Sequence, residues 1–210
     1  MRIAVIGAFG KAGSLIAEEA ISRGHDVTAI ARRKHDDRFA KLIEKDLMDL
    51  TRDDLTGFDA VVDAASAWTP DTFHIHTDGI SHLHALLEGT DARFLMMGGA
   101  GTLFVNKEHT MMVKDQPDYP EQLKPLAAAL TANLERIRSY SDWPWTYVTS
   151  PHHLTWEGKD TGKYIIGGEE FFTNAKGECY ISYRDFAKAF VDIIEDPKYI
   201  RRRVSVVGEP

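Results

Sequence analysis

The sequence contains almost no cysteine, no long apolar run and no excess of basic residues. Its single cysteine, Cys179, rules out a disulfide within the chain and fits a reducing compartment. No run approaches the roughly 20 apolar residues of a membrane-spanning helix, and the apolar N-terminal run is too short for a signal peptide. The net charge of −7 argues against a nucleic-acid binder. We therefore expect a cytoplasmic protein that binds neither membranes nor nucleic acids.

Short, continuously apolar runs alternate with longer segments of helical periodicity. Continuous apolarity is typical of strands buried on both faces of a parallel sheet. The strand-like runs are 3–6, 27–30, 60–65, 94–97 and 147–148, with weaker pieces at 42–45 and 204–207, and the helical segments are 11–23, 71–88 and 121–140. This alternation predicts an α/β, doubly wound Rossmann fold with a mostly parallel sheet.

The pattern becomes looser after residue 150. Residues 151–180 are rich in glycine and hold two β-like pieces, at 164–166 and 170–173. We expect a single NAD(P)-binding domain over 1–210, in which 151–180 form a small, hairpin-bearing lobe on the substrate side. A capping-box pattern at 182–185 predicts the start of another helix. The basic run 201–203 is interpreted as a solvated strand edge or a local ion-pair site.

A glycine-rich loop follows the first predicted strand and leads into the first predicted helix. It reads Gly7, Ala8, Phe9, Gly10, Lys11, Ala12 and Gly13. Glycines allow a tight turn and a close approach of the backbone to a pyrophosphate, whose charge is met by the helix N-terminus. The context is that of a dinucleotide-binding loop, although a plain strand-to-helix turn is the alternative.

The end of the second predicted strand indicates which dinucleotide binds. NAD-binding proteins usually carry an acidic residue there for the ribose hydroxyls, whereas this strand ends in Arg32 and Arg33. A guanidinium can bind a 2′-phosphate through two charge-assisted hydrogen bonds. We therefore predict NADPH (NADP) as the cofactor. The alternative is that the basic cluster simply faces solvent.

The chain resembles the atypical short-chain dehydrogenase/reductases. Within them it is most similar to the NAD(P)H-binding, NmrA-like group that includes the flavin and biliverdin reductases of the B type. The resemblance is carried by the loop at 7–13, by Arg32, and by the segments 45–47, 58–64, 97–101 and 181–187. It implies that Asp46 and Leu47 flank the adenine, that Ala64 and Ala65 line the ribose and pyrophosphate, and that Gly98 lies near the nicotinamide.

The tyrosine and lysine that short-chain dehydrogenases usually carry on the helix after the fifth strand are missing. Their positions fall on Ala127 and Thr131, neither of which can donate a proton in the usual way. Flavins and quinones delocalise the charge of the reduced product and can take their proton from water. The missing pair therefore favours hydride transfer to a flavin, quinone or similar conjugated small-molecule acceptor.

No catalytic residue follows from a motif. His152 lies where the substrate pocket of this family begins, and Tyr119 lies in the loop-rich segment after the fifth strand; a surface or packing role is the alternative for the histidine. Trp68 could stack on a planar acceptor or pack in the core. The predicted function is an NADPH-dependent reductase, with a non-catalytic NADP(H) redox sensor and an isomerase or epimerase as alternatives.

Four histidines lie on one predicted helix, namely His74, His76, His82 and His84. Their spacing places neighbouring rings on different helix faces and does not supply a usual metal-ligand set, so we expect no metal site. In related folds this helix often packs in a dimer. We therefore interpret the histidines as part of a polar surface of a possible homodimer.

Overall fold

The computed structural model describes residues 1–209, which form ten strands and five α-helices. The strands are β1 (Arg2–Ile6), β2 (Asp26–Ala31), β3 (Leu42–Glu44), β4 (Ala60–Asp63), β5 (Arg93–Gly98), β6 (Trp145–Thr149), β7 (His153–Thr155), β8 (Tyr164–Gly167), β9 (Tyr180–Ser182) and β10 (Arg202–Gly208). The helices are α1 (Lys11–Ser22), α2 (Arg52–Leu55), α3 (His74–Leu87), α4 (Lys124–Ser139) and α5 (Tyr183–Glu195).

Eight strands form one sheet in the order β3-β2-β1-β4-β5-β6-β10-β8. All neighbours are parallel except β8, which runs antiparallel to β10. The chain builds the sheet outward in one direction from β1 to β3, and β4 then pairs with the other edge of β1. This reversal opens a crevice at the carboxyl ends of β1 and β4, where ligands bind in doubly wound sheets. The predicted fold class is confirmed.

The sheet is buried on both faces, as the continuous apolar runs predict. In β1, Ile3 and Val5 pack into a cluster with α1 and α5 on one face. Ala4 and Ile6 pack on the opposite face with α3 and α4. Alternate side chains of a strand point to opposite faces, so a strand covered on both sides needs an apolar residue at every position.

Two of the predicted helices are shorter than their periodicity suggests. The segment 71–88 begins with a 3-10 turn at Pro70–Thr72, and α3 follows from His74. The segment 121–140 likewise begins with a 3-10 turn at Glu121–Leu123 before α4. Prolines at the first helical positions lack the amide hydrogen that a helix interior needs, and they stand at the start of both segments.

The hairpin predicted within 151–180 is wrong in its pairing. The piece at 164–166 forms β8, but its partner is the distant β10. The piece at 170–173 is not a strand, and Glu170 forms only an isolated bridge with Phe104. β7 pairs in parallel with β9 as a separate two-stranded sheet. An open edge of β10 offers unpaired backbone groups to β8, which local sequence patterns do not reveal.

The histidines of α3 mainly make contacts within the chain, and the homodimer stays a prediction. His76 is buried and its Nε2 lies 3.0 Å from the carbonyl oxygen of Ala67. The Nε2 of His82 lies 3.0 Å from the carbonyl oxygen of Leu50, and the ring of His84 stacks on Tyr140 with the ring centroids 3.6 Å apart. The Nδ1 of His74 lies 2.9 Å from the carbonyl oxygen of Asp71, so all four side chains make contacts within the chain, although His74 is exposed.

Within residues 1–209, no helix is both long and apolar enough to cross a membrane. Residues 1–209 also contain no group of three or more His, Cys, Asp or Glu side chains arranged to hold a metal ion.

Candidate cofactor-binding site

A cleft of about 600 Å³ opens at the carboxyl ends of β1, β2 and β4. Its volume falls in the range of roughly 300–1,000 Å³ that is typical of small-molecule sites. The cleft lies at the point where the strand order reverses. Its lining residues are Ile6, Gly7, Phe9, Gly10, Ile30, Ala31, Arg32, Arg33, His35, Lys45, Asp46, Leu47, Ala64, Ala65, Ser66, Thr72 and Ile75.

The glycine-rich loop forms one wall of the cleft by packing backbone against backbone. Gly7 has a φ of +77°, and a Cβ placed on it would lie 2.8 Å from the carbonyl oxygen of Ala64. A Cβ on Gly13 would lie 2.3 Å from the carbonyl oxygen of Gly7. Only glycine satisfies the first position without backbone strain, and the second allows α1 to approach the loop closely.

The N-terminus of α1 begins at Lys11, next to this wall. Its N-cap residue is Gly10, which supplies no side-chain hydrogen bond, and the first turn contains no acidic residue. The backbone amides of the first turn therefore lack a capping side chain. Such a helix end attracts an anionic group. Lys11, Ala12 and Gly13 belong to this turn and lie beside the lining residues.

The two arginines at the end of β2 line the cleft without an ion pair. Arg32 and Arg33 are exposed, line the cleft, and form no salt bridge with any residue of 1–209. The other lysines and arginines of this stretch are all paired, Lys34 with Asp37, Arg38 with Asp36 and Glu18, Lys41 with Asp26, and Lys45 with Asp54. Two guanidinium groups are therefore available to an anion at this end of the cleft.

The opposite wall is made of the residues that follow β3 and β4. The carboxylate of Asp46 accepts a hydrogen bond of 3.1 Å from the amide of Met48, which fixes the turn, and Leu47 is buried. Ala64 and Ala65 continue from β4 into the cleft. The resemblance therefore placed these four residues on the same cleft as the loop.

Gly98, the remaining residue expected at the cofactor, lies at the end of β5 outside the lining set. A Cβ on Gly98 would lie 2.0 Å from the ring of Tyr147, so packing against Tyr147 accounts for the glycine. Its carbonyl oxygen accepts a hydrogen bond of 3.0 Å from the amide of Ser150. This bond joins the carboxyl end of β5 to the segment that leads to His152.

Sequence reasoning missed several lining residues. His35 and Lys45 stand next to residues that were predicted, and their position beside the strand ends could have pointed to them. Ser66 and Thr72 come from the segment between β4 and α3, and Ile75 lies in the first turn of α3. No motif covers that segment, and only its three-dimensional path brings it over the cleft.

A second cleft, of about 560 Å³, opens beside 151–180. It is lined by His152, His153, Phe171, Thr173, Gly177, Glu178, Cys179 and Tyr180. The amide of His152 donates a hydrogen bond of 3.3 Å to the sulfur of Cys179, and burial raises the pKa of that thiol. The predicted candidate His152 therefore lies in a cleft with aromatic walls, and burial favours the protonated form of the thiol in the same lining.

The other candidates lie elsewhere. Tyr119 is half-buried against a small cluster formed by Ala100, Leu103 and Val113. Trp68 is 68% exposed, so the core-packing interpretation of this residue is wrong. On α4, Ala127 is buried and the hydroxyl of Thr131 donates a hydrogen bond of 2.8 Å to the carbonyl oxygen of Ala127. Neither α4 position offers a proton donor.

Comparison with known proteins identifies the family. A family model described as NAD(P)H-binding matches residues 7–197. The chain belongs to this NAD(P)H-binding family. The match begins at Gly7 and includes every lining residue of the first cleft except Ile6. A nicotinamide cofactor is therefore established for the family, and the choice between NADH and NADPH is not.

Individual relatives match this chain over nearly their whole length. The chain is 39% identical to the uncharacterized protein YwnB of Bacillus subtilis over 212 residues, which cover 100% of this chain and 99% of that protein. A solved structure from Streptococcus pneumoniae, provisionally named an NADH-flavin reductase, is 45% identical with a TM-score of 0.96 and covers 99% of both chains. A Bacteroides thetaiotaomicron structure, provisionally named an epimerase, is 28% identical with a TM-score of 0.86 and covers 100% of this chain and 97% of that one.

The family and these neighbours confirm the resemblance to the atypical short-chain dehydrogenase/reductases. The TM-scores of 0.96 and 0.86 show that the two solved neighbours share the fold of this chain. The names of the two solved neighbours describe different reactions, so the fold alone does not decide the reaction. That decision depends on the side chains around the two clefts.

Proposed function

We propose that the protein is an NADPH-dependent reductase that transfers a hydride to a flavin, a quinone or a similar conjugated acceptor. The observation that carries the proposal is the pairing of a nicotinamide-type cleft with an α4 that has Ala127 and Thr131 in place of a tyrosine and a lysine. The name of the Streptococcus pneumoniae neighbour supports a reductase with a flavin acceptor.

The residues of the first cleft fit NADPH. The backbone cradle at Gly7 and Gly13 has no room for a Cβ and would accept the pyrophosphate, with the uncapped amides of α1 meeting its charge. Arg32, with Arg33 beside it, would bind the 2′-phosphate, because neither guanidinium is occupied by a carboxylate. The neighbour's name specifies NADH, and we propose NADPH here on the strength of these two arginines.

Arg32 is predicted to set the preference for NADPH over NADH. A hydrogen bond to a charged group contributes about 1.5–3 kcal/mol, and 1.4 kcal/mol corresponds to a factor of ten. Arg32→Gln should therefore lower the ratio of kcat/KM for NADPH to that for NADH by about tenfold or more. Steady-state kinetics with both cofactors measure this ratio.

The matched control for this variant is Lys41→Gln. Lys41 is a nearby exposed cation, but it pairs with Asp26 and does not line the cleft. Its loss should leave the ratio unchanged. An Arg32→Gln protein with the wild-type ratio would show that the arginine does not bind the phosphate.

The cofactor, when bound, supplies a hydride and its electron pair to the acceptor. This chain's residues would hold the two reactants in contact. Such positioning is the main source of rate enhancement when the reaction needs no strong acid. We propose that the acceptor occupies the second cleft, near His152, with 151–180 as the substrate-side lobe. The hydrogen bond between Ser150 and Gly98 ties this lobe to the end of β5.

Oxidation of NADPH with FMN, biliverdin and simple quinones tests the proposed activity. A reductase consumes NADPH only when the acceptor is present. A redox sensor would bind the oxidised and reduced cofactors with different affinities and consume neither, and an isomerase would show no net oxidation. No turnover with any of these acceptors would sink the proposal.

A further inference from the structure

His35 lines the first cleft and has no role in the function proposed above. It follows Arg32 and Arg33 in the segment after β2, and its side chain is exposed. Neither ring nitrogen forms a hydrogen bond or an ion pair with any residue of 1–209. An imidazole in this situation can bind a polar group of a ligand through either nitrogen.

An aromatic contact holds the imidazole at the cleft. Its ring centroid lies 5.1 Å from that of Phe9, and the two ring planes are tilted by 35°. Phe9 belongs to the glycine-rich loop and packs edge-on against the buried ring of Phe39, with the centroids 5.3 Å apart. The imidazole therefore contacts the loop proposed for the pyrophosphate, and it closely follows the arginines proposed for the 2′-phosphate.

The carboxylates around His35 are bound by other groups. Asp36 interacts electrostatically with His35, but both of its oxygens accept hydrogen bonds of 2.7–2.9 Å from the guanidinium of Arg38. The other charged groups of the surrounding segments are Asp37, which pairs with Lys34, Glu44, which accepts from the amide of Lys34, Glu18, which pairs with Arg38, and the cations Arg32, Arg33 and Lys11. Within 1–209 no carboxylate pairs with His35, so an anion of the ligand can do so.

We propose that His35 binds the 2′-phosphate of NADPH as an imidazolium, so that the preference for NADPH over NADH increases as the pH falls. This inference rests on the proposed NADPH-dependent function. NADH has a hydroxyl in place of the phosphate and gains no ion pair from the charged ring. Arg32 supplies the part of the preference that is independent of pH, because a guanidinium stays charged, and His35 supplies the part that depends on pH.

The direction of the pH dependence follows from the charges around the ring. Histidine is the side chain whose charge ordinarily changes between pH 5 and 8. Before the cofactor binds, Arg32 and Arg33 disfavour the imidazolium because like charges repel, whereas a bound phosphate favours it. The phosphate also gains a charge-assisted hydrogen bond from the imidazolium. Binding of the phosphorylated cofactor therefore takes up a proton at His35, and its affinity rises as the pH falls.

Calorimetric titration with NAD⁺ and NADP⁺ tests the inference without turnover. The measured quantity is the ratio of the dissociation constant of NAD⁺ to that of NADP⁺, at pH 6.5 and at pH 8.5. For the wild type, we expect this ratio to be larger at pH 6.5 than for His35→Gln by about fivefold, and the two ratios to converge at pH 8.5. The phosphate of the ligand also titrates near pH 6, but it contributes equally to both proteins.

Two further variants separate the charge of the ring from its shape and from other histidines. His35→Arg keeps a cation at every pH, so its ratio should stay above that of His35→Gln at pH 8.5 as well. His74→Gln is the matched control, because His74 is exposed, lies 2.9 Å from the carbonyl oxygen of Asp71 and lines neither cleft. Its ratio should follow the wild type at both pH values.

The outcomes distinguish this inference from the proposed function. His35 is exposed and has no hydrogen-bond partner within 1–209, so the thermal midpoint of unliganded His35→Gln should stay close to that of the wild type. A preference for NADP⁺ with the same pH dependence in the wild type and in His35→Gln would overturn the role of His35 alone. Equal binding of NAD⁺ and NADP⁺ by the wild type would overturn the proposed preference for NADPH as well.

Discussion

At the scale of single residues, Asp63 has a carboxyl group whose charged form is destabilised by burial. It ends β4 directly before the cleft residues Ala64 and Ala65, and it is buried. One of its oxygens accepts a hydrogen bond of 3.0 Å from the amide of Ala65. Burial outweighs this bond and raises the pKa of Asp63 from 3.8 to about 6.

Asp63→Asn is predicted to stabilise the protein at neutral pH. A carboxyl whose pKa is raised on folding binds its proton more tightly in the folded chain, so stability is lost as the pH rises from about 4 to about 6. The raised pKa corresponds to roughly 3 kcal/mol at pH 7. Asparagine keeps the oxygen that accepts from Ala65 and carries no charge, so the urea midpoint at pH 7.5 should increase.

The pH dependence provides the check on this assignment. Between pH 4 and 6 the wild type should lose stability relative to Asp63→Asn. Asp91→Asn, which changes an exposed carboxyl, should follow the wild type throughout. An Asp63→Asn protein that is less stable than the wild type at pH 7.5 would show that the buried charge is compensated.

Arg203 shows why the sequence could not assign every residue. The run 201–203 predicts a strand edge or an ion-pair site, and Arg201 and Arg202 are indeed exposed. Arg203 is buried, and its guanidinium donates to the carbonyl oxygen of Thr102 at 2.8 Å and to the hydroxyl of Thr149 at 3.0 Å. Arg203 also forms a salt bridge of 3.4 Å with Glu169, so the ion-pair interpretation is confirmed. All these partners lie far away in the sequence, and the local pattern could not predict them.

At the scale of elements, the capping pattern at the start of α5 predicts the helix start but not the partners of Asp185. The capping pattern at 182–185 predicts the helix start, and the hydroxyl of Ser182 accepts a hydrogen bond of 3.0 Å from the amide of Asp185. The carboxylate of Asp185 does not accept a hydrogen bond from the backbone amide of Ser182, as it would in a full capping box. It accepts hydrogen bonds from the amides of Thr161 and Gly162, which ties the loop before β8 to the helix.

Ser182→Ala is predicted to cost about 1 kcal/mol of stability, because it leaves the Asp185 amide without its acceptor at a buried helix start. The urea midpoint should fall with an unchanged denaturant slope. Ser22→Ala is the matched control, because Ser22 is an exposed serine at the end of α1 whose hydroxyl bonds only the carbonyl oxygen of Glu19. A Ser182→Ala loss no larger than that of Ser22→Ala would contradict the capping role.

At the scale of the whole molecule, the sequence was sufficient to predict the parallel strands and the glycine-rich loop. Both depend on local patterns, namely continuous apolar runs and the spacing of Gly7, Gly10 and Gly13. The pairing of β8 with β10 depends on an edge that forms only when the sheet is complete. The same holds for Thr72, before α3, and for Ile75, in its first turn, which reach the cleft through the path of the chain after β4.

The central claim is that a nicotinamide cofactor bound in the first cleft transfers a hydride directly to an acceptor bound in the second. The first holds the glycine loop and the unpaired arginines, and the second holds His152 and the aromatic walls. A nicotinamide that the protein holds in one orientation presents one face of its ring to the acceptor. Hydride transfer between fixed partners is therefore expected to use one of the two hydrogens of the reduced cofactor.

The most direct test is the single-turnover rate at which the protein oxidises stereospecifically deuterated NADPH with a naphthoquinone as acceptor. Transfer between fixed partners predicts slower oxidation with one deuterated form and a rate close to that of ordinary NADPH with the other. Equal rates with both forms, or consumption of NADPH that does not depend on the acceptor, would contradict direct hydride transfer.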